Sequence, residues 1–152
     1  MYYAKITFTA AFLLSASLLS ISANAADHCQ IDKKTVHKVF KAIDGARTDL
    51  DRYQEVISDD SMFVFGNYPA SKGKEEIKKD QGDFFKTIKG MSHKVDHVWI
   101  DGCKVAAEGR VTYISAKDKN ITVPFVDTFI FDNNKKVKAI NIYIDVAPLY
   151  QD

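Results

Sequence analysis

Apolar residues recur at two different periods along this chain, and the change of period divides it. In "KTVHKVFKAIDG", Val36, Val39, Phe40 and Ile43 fall at i, i+3, i+4 and i+7, the stripe of an amphipathic helix that Gly45 should close. Thr48, with Asp51 three residues on, resembles a capping box, and Leu50, Tyr53 and Ile57 predict a second helix. "SMFVFG" at 61–66 predicts a short strand; a Gly/Pro/Ser loop follows, then a third helix over 73–89 carrying Ile77, Phe84 and Ile88 and ended by Gly90. From Ser92 the period drops to two. "SHKVDHVWI", "KVAAEGRVTYISA", "ITVPFVDTFIF" and "KVKAINIYIDV" predict four strands, separated by the turn signals "DG", "KDKN" and "DNNK". Helices followed by an antiparallel meander make an α+β fold, with no repeat or linker to divide it further.

Within "FVDTFIF", Asp127 interrupts an otherwise apolar run, and a buried carboxylate is costly unless something compensates it. The turns supply a candidate partner. A two-residue turn at Asp101-Gly102 places His93 opposite Arg110, and a turn centred on Asp118-Lys119 places Arg110 opposite Asp127. A longer turn near Asn134 brings Asn141 beside Asp127. One sheet face would then carry His93, His97, Trp99 and Arg110 together with Phe125, Asp127, Phe129, Asn141, Tyr143 and Asp145. That mixture of aromatic and polar groups suits a small-molecule pocket, and it makes the Asp127–Arg110 pair either a ligand-orienting floor or a self-satisfied cross-strand ion pair. The opposite face is apolar too. Helices can cover only one face in a chain this short, so a second copy is expected on the outer one.

Composition adds a compartment. Lys5, the apolar stretch "ITFTAAFLLSASLLSIS" and "ANA" at Ala23–Ala25 read as an export signal over residues 1–25, leaving 26–152 as one domain, periplasmic or secreted, with no stable membrane anchor. Removing that segment takes away one lysine and no acid, so 20 basic residues face 20 acidic ones, and no basic field for nucleic acid remains. Two cysteines in an exported chain are most simply one disulfide, Cys29 to Cys103; two free thiols are the competing reading. His93 and His97 hint at a metal site, but four strand residues put their origins roughly 13 Å apart, so no metal is expected.

The order of helices, short strand, helix and four-stranded meander resembles the nuclear transport factor 2-like superfamily, which includes ketosteroid isomerases, limonene epoxide hydrolases, scytalone dehydratases and SnoaL-like polyketide cyclases. Two stretches carry the resemblance: "DDSMFVFGNYPASKGKEEI" and "FVDTFIFDNNKKVKAINIYIDVAPLYQ". It implies a cone-shaped α+β fold, also called cystatin-like, with N-terminal helices packed on a curved, mainly antiparallel sheet. It also implies catalysis without a cofactor. Asp127 matches the isomerase aspartic acid that stays protonated in an apolar site and donates to an oxyanion, an example the general theory of pKa tuning uses. An adjacent Arg110 would spoil that role by favouring the ionised form. The isomerase general base corresponds to about Phe65 and its helix-one tyrosine to about Phe40 or Lys41, so steroid isomerisation is disfavoured. Asp145 in "YIDVAPLYQ" matches the last-strand acid of SnoaL-like cyclases and epoxide hydrolases. Arg110 fits the hydrolase triad, but Thr112 stands where its second acid should be.

The expectation is thus an exported homodimer, joined through the outer sheet face, with a hydrophobic pocket for a small apolar or polycyclic molecule. Asp145, Asp127 and His93 are the candidate catalytic residues. Arg110, Trp99, Phe125, Phe129, Asn141 and Tyr143 are the candidate ligand contacts. The alternative is a non-catalytic binding or protein-interaction module.

Overall fold

The computed structural model describes residues 29–151; the export signal expected over residues 1–25 lies outside them. Helix α1 (Lys33–Ala46) starts where the Asp32 side chain accepts the Thr35 amide at 2.7 Å, satisfying a donor that the first turn leaves unpaired. That hydrogen bond holds the Asp32 carboxyl below the usual carboxylate range. All four predicted stripe positions are buried, and the helix runs on through Gly45.

The expected capping box does not form. Thr48 Oγ1 donates instead to the Gly45 carbonyl, and Asp49 takes the Asp51 amide, so α2 (Asp51–Gln54) is a single turn. The chain enters strand β1 (Ile57–Phe65) sooner than predicted, and Ile57 is a strand residue. Strand β2 (Ser71–Lys72) leads into α3 (Gly73–Phe85), which is shorter than expected. Thr87 Oγ1 caps the Phe84 carbonyl at 2.7 Å, and from Ile88 the chain is strand, so Gly90 lies in the sheet. Strands β3 (Ile88–Asp101), β4 (Lys104–Ser115), β5 (Asn120–Phe131) and β6 (Val137–Ile144) form the meander, followed by a 3₁₀ turn (Ala147–Tyr150). No described helix is long and apolar enough to cross a membrane.

The six strands lie in the order β2-β1-β6-β5-β4-β3, with β1 parallel to β6 and every other pair antiparallel. The helices cover one face of this curved sheet, as the α+β cone expectation requires. Phe40 seats α1 on β5, its ring centroid 5.6 Å from Phe125 and 5.7 Å from Phe129. Cys29 and Cys103 are bonded, with Cα atoms 5.3 Å apart, and the Ile31 amide donates to Gly102 O at 3.1 Å, so the N-terminal segment is stapled to the β3–β4 turn.

All three predicted registers are corrected. Gly102, at φ +57°, and Cys103 form the first turn, so Ile100 pairs with Val105; beyond a bulge at Asp96, His93 pairs with Val111. Arg110 pairs with Pro124, and Asp127 lies between Ala107 and Ile142. Each difference is an odd number of residues. Because side chains alternate across a sheet, an odd slip exchanges the faces. Phe125, Asp127, Phe129 and Phe131 therefore point into the core, while Arg110, Val126, Ile130 and Tyr143 point outward and are exposed.

Candidate functional site

Between α3 and the covered face of the sheet lies a cavity of about 410 Å³. Its walls are aromatic. Phe63 and Phe65 come from β1, Phe84 and Phe85 from α3, and Tyr113 from β4, with Ile142 of β6 between them. Alternation in "SMFVF" turns Phe63 and Phe65 to the same side, and Phe84 closes against both walls, 5.1 Å from Phe65 and 5.9 Å from Tyr113 between ring centroids. Tyr68 and Tyr150 stand at the rim, each more than half exposed.

One titratable nitrogen reaches this wall. His93 of β3 lines the cavity with its side chain only 8 % exposed. Its Nδ1 is 2.6 Å from Asp44 Oδ1, and its backbone amide donates to Asp44 Oδ2 at 3.1 Å. A single carboxylate thus clamps both the ring and the backbone of His93. The ring also packs at 5.4 Å from Phe40 and 5.1 Å from Phe125, which limits its rotation. A carboxylate only accepts, so Nδ1 carries the proton and Nε2 is the basic nitrogen. Asp44 escaped the sequence reading because it sits one residue beyond Ile43, on the polar edge of the α1 stripe. The legible sign was its position four residues after Phe40, on the side of the helix that faces β3.

Asp127 is answered differently from the expectation. It is 1 % exposed, Arg110 is on the other side of the sheet, and no described donor meets its Oδ1. Burial pushes its carboxyl well above the usual range, which favours the neutral form. It does not line the cavity, although Ile142, its neighbour on β6, does. Burial likewise raises the phenols of Tyr53 and Tyr113, with the field of Asp127 as a lesser cause.

The other predicted residues divide by face. Phe125 and Phe129 are buried under Phe40 and do not reach the cavity. Arg110, Tyr143 and Asp145 share a shallow open depression on the outer face, where His97 Nδ1 lies 2.9 Å from Glu108 Oε1. Trp99 stacks on His97 there. Asn141 Nδ2 reaches only Thr128 Oγ1, at 3.5 Å, and Asp145 Oδ1 accepts the Ala147 amide at 2.9 Å. Among the described residues no cluster of His, Cys, Asp and Glu is placed to hold a metal ion.

The SnoaL-like domain profile matches residues 36–140, most of the chain and every element from α1 into β6. This chain belongs to the SnoaL-like domain family. Solved structures agree on the fold. A protein from Jannaschia sp. CCS1 designated a SnoaL-like polyketide cyclase superposes with a TM-score of 0.66 at 19 % identity, covering 77 % of this chain and 87 % of that one. TerC, crystallised with polyporic acid, gives 0.65 at 16 % identity over 76 % and 95 % of the two chains. A protein from Catenulispora acidiphila with a ketosteroid isomerase-like fold, in complex with trimethylamine, gives 0.69 at 13 % identity over 78 % and 91 %. No curated protein sequence matches the chain. In this SnoaL-like domain, the His93–Asp44 pair lies within the matched residues.

Proposed function

We propose that this SnoaL-like domain is an exported, cofactor-free acid/base enzyme acting on a small, largely apolar molecule held in the aromatic cavity. The observation that carries the reading is the His93–Asp44 pair on the cavity wall. An imidazole held at Nδ1 by a carboxylate presents Nε2 in one tautomer, and the same carboxylate stabilises the imidazolium that forms when Nε2 takes a proton. His93 is the proposed catalytic base and, on return of the proton, the acid; Asp44 is a positioning residue. Tyr113 supplies the complement. Burial keeps its phenol protonated, so it is a hydrogen-bond donor for an oxygen on which charge develops. Proton removal beside a carbonyl followed by return elsewhere gives isomerisation or cyclisation, and proton removal followed by loss of hydroxide gives dehydration. TerC with polyporic acid and the trimethylamine complex support the cavity as a small-molecule site.

A probe that needs only a base tests this directly. In 5-nitrobenzisoxazole, loss of the ring C–H proton to Nε2 turns the C–H pair into a nitrile π bond and breaks the N–O bond, releasing a coloured phenolate. The wild-type protein should exceed an equal concentration of free imidazole. His93→Gln should lose about 10²-fold or more, and Asp44→Asn a smaller factor. A rate that is unchanged in His93→Gln would sink the assignment.

The second reading, a non-catalytic interaction module, is favoured by the outer face, where Trp99 is 53 % and Tyr143 61 % exposed beside Val126 and Ile130. We propose that this surface joins two copies of the chain, in accord with its apolar character. The Cys29–Cys103 bond supports an oxidising compartment. Mass analysis of the exported protein should give a chain beginning at Ala26, two hydrogens lighter than its reduced form; a retained leader or free thiols would refute export or pairing respectively.

A further inference from the structure

The cavity wall that α3 contributes is acidic. Glu76, Asp80 and Asp83 follow each other at i, i+4 and i+7, so one helix face carries all three carboxylates to the cavity. Among the described residues no lysine or arginine lines the same space. The cations that do pair with these acids lie outside it. Lys86 reaches Asp83 at 2.7 Å, and Lys79 reaches Asp80 and Asp83 at 3.4 Å each, but both lysine side chains are about three-quarters exposed, 76 % and 73 %. Glu76 Oε2 accepts the Lys72 amide at 2.9 Å, and Asp80 Oδ2 accepts the Ser71 hydroxyl at 2.7 Å, so both acids are fixed in place by neutral donors.

A second observation points the same way. Gln81 lies on the cavity wall, is 6 % exposed, and has no donor for its Oε1. The wall therefore has surplus acceptors and negative charge, while its other surface is a run of aromatic rings. Phe65 lies 6.1 Å from Tyr68 and 5.1 Å from Phe84, and these faces are where a cation is attracted by ring quadrupoles.

We infer that the cavity selects a lipophilic organic cation, an ammonium carried on an apolar body, with the charged end toward the α3 carboxylates and the body among Phe63, Phe65, Phe84 and Tyr113. This deepens the proposed function and rests on its reading of the cavity as the ligand site. An anionic guest meets three carboxylates, and a neutral hydrocarbon brings no positive charge to them or to the unmet Gln81 Oε1. An ammonium brings that charge.

Two isosteres separate the cases: benzyltrimethylammonium, and neopentylbenzene, in which carbon replaces the nitrogen. Both are titrated into the full-length exported protein and followed by ligand-observed NMR. The ammonium should bind at least about tenfold more tightly. The double variant Glu76→Gln/Asp83→Asn, at two exposed positions, should reduce ammonium affinity about fivefold or more and leave neopentylbenzene unchanged. Asp80→Asn should act in the same direction. Equal or tighter binding of neopentylbenzene, or an ammonium affinity indifferent to these variants, would overturn the charge preference while leaving the cavity as a ligand site. If neither isostere binds, the ligand-site reading falls and this inference with it.

Discussion

Asp127 shows how one residue can be tolerated in a position that its chemistry opposes. It sits among Phe125, Phe129 and Phe131 with an unmet oxygen, and burial raises its carboxyl so that the uncharged form, which costs less there, is favoured. The pH consequence follows from linkage. An unfolded aspartic acid releases its proton near pH 3.9, whereas the folded chain retains it well above that value. Between those two values the folded state binds more protons, so the contribution of Asp127 to stability is greatest below about pH 4 and is lost as pH rises toward the folded value. Asp127→Asn, which has no proton to lose, should therefore melt progressively higher than wild type as pH increases. Its advantage should grow by up to about 1.4 kcal/mol per pH unit across that window. Thermal denaturation at pH 4.5 and 7.5 checks this, and an identical difference at both values would show that Asp127 is not the titrating group. With Arg110 on the other side of the sheet, Asp127 lacks the adjacent cation that would have favoured its ionised form, and it stands behind the cavity wall rather than in it.

At the scale of elements, the period of each strand was legible and the pairing between strands was not. Period two follows from side-chain alternation alone, which is why Phe125, Asp127 and Phe129 were correctly grouped on one face of their own strand. Pairing depends on turns and bulges, and three small differences accumulated: a turn at Gly102-Cys103, a longer loop before Asn120 and a shift between β5 and β6. The bulge at Asp96 matters most. It turns His93 into the cavity and His97 out to Glu108, so the two histidines that looked equivalent in sequence have opposite surroundings. Gly109 lies across from it, and a β-carbon there would fall on the Lys94 carbonyl oxygen. Gly109→Ala should cost about 1–3 kcal/mol in urea denaturation and loosen His93 from Asp44. An undiminished midpoint would mean that β3 can yield at this point. The helices were more legible because one stripe decides each of them; their ends were not, since Thr48 and Thr87 bond to backbone carbonyls that the pattern of apolar residues does not reveal. Asp44 and the acidic face of α3 were missed for a related reason: polar residues on a helix read as solvated until the opposite wall is known.

For the molecule as a whole, the sheet has one face under helices and one without them. Ile130, 46 % exposed, lies in the outer row with Lys104, beside the row that carries Thr128 and Asn141, and a lysine at Ile130 would place a charge in the middle of any apolar contact there. If two copies meet through this face, sedimentation should give a dimer for wild type and a monomer for Ile130→Lys, with the folded spectrum unchanged. A monomeric wild type at micromolar concentration would remove the homodimer proposal. The strand order has a further consequence, for the timing of assembly. Strand β6, made last, lies between β1 and β5, so the β1–β2 pair cannot join the β3–β4–β5 strands until Val137 to Ile144 have followed. Through most of its synthesis the sheet is in two parts, and the last strand made is the one that closes it.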